Sequence, residues 1–334
     1  MIVQYAAVMT ARARSTGRPL RRWRRVLARI GVGTAILVLL AVVGFSGYMG
    51  HLVAQGAAQN MTREETLANR EPFLPEVDRL AQTYELTRSE VSSTRFDHTI
   101  SVLELRTDQP ARGTVVMVHG MGGTKETVMR PAQMFLEAGF DVAALDQRNS
   151  GDNTAPTNSF GVLESYDILY VVTQVDEGLE EGQLLVLWGE SYGGASAGIA
   201  LGRDESRIDA LILDCPVADG RVFIEQVLQE VQAEQGIPVG YMMAVGTVMN
   251  RIEHGWWLGE AEVAPWLTKT SRPTLVLRTM ADEVTPPPMG QTLYDAVPHA
   301  DKQLVTSEEA EHAQIHRDDA ELYRRSIEEF LNAL

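Results

Sequence analysis

The chain has 334 residues, of which 45% are hydrophobic, and a formal net charge of −16 at pH 7. A chain of this length and composition can bury one full core, so we expect one large globular domain with an appendage. Because an acidic surface repels phosphate backbones, the charge argues against nucleic-acid binding. The single cysteine, Cys215, excludes an internal disulfide and a cysteine-rich metal site.

The N-terminal segment joins a cluster of positive charge to a long uncharged run. Residues 1–29 carry eight arginines and no acidic residue, and residues 30–49, IGVGTAILVLLAVVGFSGYM, carry no charge. A helix of about 20 such residues crosses the ~30 Å hydrocarbon core of a bilayer. We therefore expect a basic cytoplasmic tail at 1–29 and a transmembrane helix at 30–52. By the positive-inside rule, the rest of the chain lies outside the cytoplasm.

Two export signals compete with a permanent membrane anchor. A cleaved signal peptide has an apolar region of about 7–15 residues followed by a small-x-small site, which VAQGAA at 53–58 matches poorly. The adjacent Arg21 and Arg22 also allow a twin-arginine signal, although the residues around them fit that pattern poorly. The length of the uncharged run favours an uncleaved anchor, which makes the lipid bilayer a partner of the chain.

The next segment, 53–83, is polar, and we predict a stalk or a helix lying against the domain. After it, short apolar runs alternate with helix-like patterns up to the C-terminus. The apolar runs lie at 113–120, 139–146, 182–189, 207–214 and 272–279. Two earlier strands are expected at 86–94 and 99–107, and helices at 124–138, 164–177, 191–201 and 312–334. Such apolar runs are typical of strands buried on both faces, so a mostly parallel sheet covered by helices is predicted.

The stretch LWGESYGG at 187–194 places Ser191 between Gly189 and Gly193. A nucleophilic serine must present its oxygen away from its own backbone, and a sharp turn from a strand into a helix does so where glycines allow close packing. The G-x-S-x-G pattern alone is weak, but here a strand-like run precedes it and a helix-like run follows it. We predict a nucleophile elbow. The alternative is a serine that caps an ordinary helix.

Attack by a serine on an acyl carbon creates an oxyanion, which needs two hydrogen-bond donors. The backbone amide of Tyr192, directly after the candidate nucleophile, would be the first. The second is expected after an earlier strand, where VVMVHGMGG at 115–123 provides the amide of Met121. We expect His119 to brace this loop and not to act as the base.

With these features, residues 84–334 resemble the α/β-hydrolase fold family, and within it a membrane-anchored branch described as Bem46-like or prolyl-oligopeptidase-related. The resemblance implies an α/β fold with a mostly parallel central sheet, flanking helices and a helical lid insertion. It also implies the chain order nucleophile, acid, histidine. Nearly sixty residues separate two of the predicted strands, so the lid is placed at about 215–271. Its methionines and tryptophans suit an apolar acyl or alcohol group, or form the lid's own small core.

The order implied by the resemblance selects the remaining site residues. ADEVTP follows the apolar run at 272–279 and resembles the acid turn of the family, so Asp282 is the predicted acid, with Asp214 as the runner-up. The run QLVTS, an acidic loop and then His312 follow before the last helix, so His312 is the predicted base. His316 is interpreted as a solvated or packing residue.

Together these residues predict a serine hydrolase that cleaves carboxylic esters through a Ser-Asp-His triad and an acyl-enzyme intermediate, without a metal or an organic cofactor. The expected partner is a small-molecule or acyl substrate. The same residues also suit a peptidase or a thioesterase. An alternative of another class is a non-catalytic binding or scaffold protein built on a hydrolase fold.

Overall fold

An eight-stranded sheet lies at the centre of the computed structural model, which describes residues 18–59 and 62–334. Its strands are β1 (Glu85–Ser93), β2 (His98–Arg106), β3 (Gly113–Val118), β4 (Asp141–Leu145), β5 (Leu184–Glu190), β6 (Ala210–Asp214), β7 (Thr274–Thr279) and β8 (Lys302–Ser307). The spatial order is β1-β2-β4-β3-β5-β6-β7-β8. β2 pairs antiparallel with both β1 and β4, and the strands from β4 to β8 run parallel. The predicted mostly parallel sheet is confirmed.

The helices of the described residues are α1 (Arg18–Ala58), α2 (Arg63–Arg70), α3 (Leu74–Leu80), α4 (Met129–Glu137), α5 (Glu164–Asp176), α6 (Tyr192–Arg203), α7 (Arg221–Gln235), α8 (Val239–His254), α9 (Ala264–Leu267), α10 (Pro287–Ala296), α11 (Ile315–Asp318) and α12 (Ala320–Asn332). Of these, α4, α5, α6, α10 and α12 contact strands of the sheet. Within the segment predicted as a lid, α7, α8 and α9 are joined by short loops and one 3₁₀ turn.

The central strands are buried on both faces, as their unbroken apolar sequences require. All five residues of β6 and five of the six residues of β3 are buried. On one side of the sheet, the core includes Phe135 of α4, Trp188 of β5 and Tyr323 of α12. The Trp188 indole N–H donates to the Tyr323 hydroxyl oxygen at 3.1 Å, and the Phe135 ring packs edge-on against the indole. These contacts hold the C-terminal end of β5 in place.

The chain divides into two compact units, residues 1–49 and 50–334. The described part of the first unit is helical and belongs to α1, and most of the basic segment predicted at 1–29 lies outside the described residues. Among the described residues, α1 is the one helix long and apolar enough to cross a membrane. A signal sequence meets the same criterion.

The segment 53–83 is predicted to be a stalk or a helix lying against the domain, and within it residues 63–70 and 74–80 form α2 and α3, which belong to the second unit. Val77 and Leu80 are part of the core of the second unit. The Arg63 guanidinium donates from Nε to the Gly151 carbonyl at 2.7 Å. These contacts attach both helices to the body that carries the sheet.

The C-terminal helix differs from its prediction, which began at His312. The chain forms a loop through His312 because Ala313 has φ 53°, a left-handed conformation that interrupts a right-handed helix. A second break at Asp319, with φ −137°, separates α11 from α12. His312 therefore lies on a loop after β8, where its ring can reach the neighbouring strand ends.

Candidate active site

Ser191 occupies a strained turn between β5 and α6. Its backbone has φ 51° and ψ −117°, and its amide donates to the Asp214 carbonyl at 2.8 Å. A non-glycine residue in such a conformation costs of the order of 1–3 kcal/mol, which the surrounding structure must offset. The turn places the Ser191 side chain beyond the end of the strand.

The glycines on both sides of Ser191 are required by close backbone packing. A Cβ atom on Gly189 would lie 2.3 Å from the Gly193 carbonyl oxygen, and one on Gly193 would lie 2.1 Å from the Val118 carbonyl oxygen. Neither distance accommodates a carbon atom. The spacing G-x-S-x-G therefore follows from the packing of α6 against the ends of β3 and β5.

Three of the predicted site residues form one chain of hydrogen bonds. His312 Nε2 lies 2.9 Å from Ser191 Oγ, and His312 Nδ1 lies 2.8 Å from Asp282 Oδ2. With a neutral imidazole, Nδ1–H donates to the carboxylate and Nε2 accepts the Ser191 hydroxyl hydrogen. In this arrangement the imidazole can receive the hydroxyl proton, and the carboxylate stabilises the imidazolium that results.

Asp282 is held as a carboxylate by its own loop. Its Oδ1 accepts hydrogen bonds from the amides of Val284 at 2.9 Å and Thr285 at 2.7 Å. Burial raises the pKa of Asp282, but the hydrogen bonds from His312 and from the Thr285 amide outweigh burial and lower that pKa below its usual value. The acid turn thus orients the carboxylate and keeps it charged at neutral pH.

Asp214, the runner-up acid, and His316, the histidine after His312, both lie outside this chain of hydrogen bonds. Asp214 is buried at the end of β6, and no hydrogen bond joins its carboxyl group to His312. Burial raises the pKa of Asp214 to about 6. His316 packs edge-on against Tyr323 with ring centroids 6.0 Å apart, and burial followed by two nearby arginines lowers the pKa of His316 to about 4. The structure therefore places His316 as a packing residue.

The two predicted oxyanion donors lie on loops at the same edge of the sheet. Met121 belongs to the loop after β3, and Tyr192 is the first residue of α6. The first amides of a helix have no partner within the helix. Within residues 62–334, neither the Met121 nor the Tyr192 amide donates to a protein acceptor. Both amides are therefore available to a ligand at this edge.

A buried hydrogen-bond network braces the loop after β3. His119 Nε2 accepts the Gln147 amide hydrogen at 3.0 Å, so Nδ1–H donates to the Gly120 carbonyl at 2.7 Å. The Gln147 side chain donates to the His119 carbonyl and accepts from the Ser196 hydroxyl at 2.6 Å. Burial lowers the pKa of His119, which keeps its ring neutral. Gln147 and Ser196 lie far from the loop in sequence, and no sequence pattern singles them out.

One group of side chains in the described residues has the spacing of metal ligands. Donor atoms of Cys215, Asp282 and His312 lie within 4.8 Å of one another. Burial raises the pKa of the Cys215 thiol well above its usual value, so the thiol keeps its proton, whereas metals bind the thiolate. The other two residues already bind each other, so the group fits the hydrogen-bonded chain better than a cation.

Apolar side chains are exposed on the loops that carry the candidate residues. Met121 follows β3, and Met280 and Val284 flank Asp282; their side chains are exposed although they are hydrophobic. In the lid segment, by contrast, Met242 and Trp256 are fully buried. Some of the methionines and tryptophans of the predicted lid therefore belong to a core and not to a substrate surface.

Known proteins share this fold. A family model described as the α/β-hydrolase fold matches residues 113–238. The uncharacterized protein YqkD of Bacillus subtilis is 26% identical over 220 residues, which cover 66% of this chain and 71% of that protein. The esterase Pf2001 of Pyrococcus furiosus aligns with a TM-score of 0.59 at 18% identity, covering 77% of this chain and 94% of that chain. The esterase EaEST of Exiguobacterium antarcticum gives a TM-score of 0.54 at 17% identity, with 74% of this chain and 100% of that chain covered.

The protein therefore has the α/β-hydrolase fold, as the sequence predicted.

Proposed function

We propose that the protein is a serine hydrolase that cleaves carboxylic esters. The observation that carries this proposal is the hydrogen-bonded chain from Ser191 Oγ through both nitrogens of His312 to Asp282. A hydroxyl group, a neutral imidazole and a charged carboxylate in this order are the parts that acyl transfer requires.

In the proposed reaction, Ser191 Oγ attacks the ester carbonyl carbon while His312 Nε2 takes the hydroxyl proton. The amides of Met121 and Tyr192 donate to the oxyanion, a contribution of about 3–4 kcal/mol for each such donor. The C–O bond of the ester then breaks, and the alcohol leaves with the proton from His312. Water, activated by the same imidazole, attacks the acyl-enzyme and releases the carboxylic acid.

The exposed side chains of Met121, Met280 and Val284 support an apolar group in the substrate. Apolar surface beside a reacting centre gains free energy when it is covered by hydrocarbon. We therefore infer esters with an aliphatic acyl or alcohol portion as the substrate class.

We also propose that α1 anchors the enzyme in a bilayer, with the arginine-rich N-terminus in the cytoplasm and the hydrolase domain on the other side. The uncharged run of residues 30–49 and the arginines before it support this topology. The membrane-anchored branch of the family remains a prediction on the same basis.

A fluorophosphonate probe tests the proposed nucleophile, because it phosphonylates activated serines. The probe is expected to label the wild-type protein and to leave Ser191→Ala unlabelled. Equal labelling of both proteins would show that another residue is the nucleophile. Labelling of neither would favour the non-catalytic scaffold alternative. A panel of p-nitrophenyl esters of graded chain length, run beside thioesters and aminoacyl amides, then tests the bond type. Faster cleavage of the amides would replace the esterase by a peptidase.

A further inference from the structure

Glu190, the last residue of β5, contacts the loop that carries a proposed oxyanion donor. The Gly120 amide donates to Glu190 Oε1 at 3.2 Å, and Gly120 directly precedes Met121. The fit is close: a Cβ atom on Gly120 would lie 3.3 Å from Glu190 Oε1 and 3.5 Å from Ser191 Cβ. The carboxyl group of Glu190 therefore joins the β3 loop to the turn that holds the nucleophile.

We propose that Glu190 is a positioning residue whose carboxyl group accepts the Gly120 amide hydrogen and fixes the Met121 amide next to Ser191. This proposal rests on the proposed function, because it assigns Glu190 a part in forming the oxyanion site. Glu190 acts through the loop and does not touch the substrate.

The surroundings of Glu190 favour the neutral form of its carboxyl group. In the parallel pairing of β5 with β6, the partly buried Glu190 lies opposite the fully buried Asp214, so two carboxyl groups are close together. Burial, followed by repulsion from Asp214, raises the pKa of Glu190 to about 8, and the Gly120 hydrogen bond opposes this rise. Tyr323 of α12 also faces this pair, and burial and the charge of Asp214 raise the pKa of its phenol well above the usual value. Tyr323 is therefore uncharged.

A neutral carboxyl group suits this position on electrostatic grounds. In the proposed reaction, negative charge develops on the oxyanion beside Met121, and an ionised Glu190 behind the loop would repel that charge. Ionisation above pH 8 is therefore expected to slow the attack on the ester. Gln resembles the neutral acid, since its carbonyl oxygen can accept the Gly120 amide hydrogen at every pH.

The test compares full-length wild type, Glu190→Gln and Glu190→Ala in detergent, with a p-nitrophenyl ester as substrate, between pH 6 and pH 10. For the wild type, kcat is expected to fall about tenfold from its plateau by pH 9, since about one molecule in ten then keeps the proton. Glu190→Gln should match the wild type within about threefold at pH 6.5 and show no such fall. Glu190→Ala should lower kcat about tenfold or more at pH 6.5 with KM little changed, because the loop loses its acceptor.

Asp214→Asn provides an independent measurement. Removal of the Asp214 charge lowers the pKa of Glu190, so the fall in kcat should begin at a lower pH than in the wild type. An alkaline fall in Glu190→Gln equal to that of the wild type would overturn the proposal. So would wild-type kcat in Glu190→Ala. The fluorophosphonate probe distinguishes failure of this role from failure of the proposed function. If Ser191 is labelled but the pH profile of kcat in Glu190→Gln equals that of the wild type, the role of Glu190 alone is overturned. If the wild type is not labelled, the proposed function is overturned, and this role with it.

Discussion

His312 Nε2 lies 2.9 Å from Ser191 Oγ although 121 positions of sequence separate the two residues. Parallel strands produce this proximity, because their carboxyl ends meet at one edge of the sheet and the loops that follow them converge there. Ser191 follows β5, Asp282 follows β7 and His312 follows β8. The arrangement therefore depends on the strand order and not on local sequence.

The first prediction tests whether Asp282 or Asp214, the two acids at the carboxyl edge of the sheet, orients His312. Asp282→Asn removes the charge that orients His312 and stabilises its protonated form, so kcat is expected to fall about 10³- to 10⁴-fold. Asp214→Asn alters a group that makes no hydrogen bond to His312, so its kcat at pH 6.5 should lie within about threefold of the wild type. Steady-state kinetics on one ester measures both. A larger loss in Asp214→Asn would make Asp214 the acid.

Most candidate site residues at the carboxyl edge of the sheet were predictable from the sequence. Their motifs either lie within a few residues or follow a fixed order along the chain. Ser191 and its glycines lie within five residues, and the acid turn and final histidine follow the order that the fold implies. By contrast, Glu190 and Gln147 act through partners about 70 and 28 positions away, and neither is a fixed position of a spacing pattern, since G-x-S-x-G leaves residue 190 open. Their roles follow from strand register, which one sequence does not contain.

The helix boundaries show the same limit. The helix predicted from Thr124 begins at Met129, because Lys125 instead turns inward and binds Asp146 through its backbone amide and its Nζ atom. The helix predicted from His312 is interrupted by the left-handed backbone of Ala313. Neither conformation has a turn residue such as glycine or proline to indicate it. Tertiary contacts decide both boundaries.

The second prediction concerns backbone packing at the elbow. Gly193→Ala would place a carbon 2.1 Å from the Val118 carbonyl oxygen, so we expect a loss of several kcal/mol in the free energy of unfolding and loss of activity. Gly240→Ala is the matched control, since nothing lies within 4 Å of its added carbon and it lies in α8. That change should be neutral or stabilise by up to about 1 kcal/mol. Urea unfolding measures both, and equal effects would contradict the close packing.

The third prediction concerns stability at acid pH. The pKa of His316 is lowered to about 4 in the folded protein, whereas an unfolded histidine has a pKa near 6.5. Between these values the unfolded chain binds more protons than the folded chain, so stability falls as the pH falls from about 6.5 to 4. His316→Phe keeps a ring against Tyr323 and removes the titration. The difference in unfolding free energy between pH 7 and pH 4 should therefore shrink by about 1–3 kcal/mol.

Urea unfolding of wild type and His316→Phe at pH 7, 5.5 and 4 measures that difference. The protonated carboxylates of the rest of the chain affect both proteins equally and cancel in the comparison. If the free energy of unfolding changes with pH to the same extent in both proteins, His316 titrates normally in the folded protein.

The last prediction concerns the membrane topology. Cys215 is the single cysteine of the chain and is 2% exposed, so an introduced surface cysteine reacts against little background. In intact cells, a membrane-impermeant maleimide is expected to label Gln109→Cys, an exposed position of the hydrolase domain, and to leave Ser15→Cys in the basic segment unlabelled. After detergent is added, both variants should react, which shows that each thiol is accessible in itself. Labelling of Ser15→Cys alone in intact cells would reverse the proposed orientation. Loss of the N-terminal segment from the mature protein, detected by its mass, would instead identify α1 as a cleaved signal sequence.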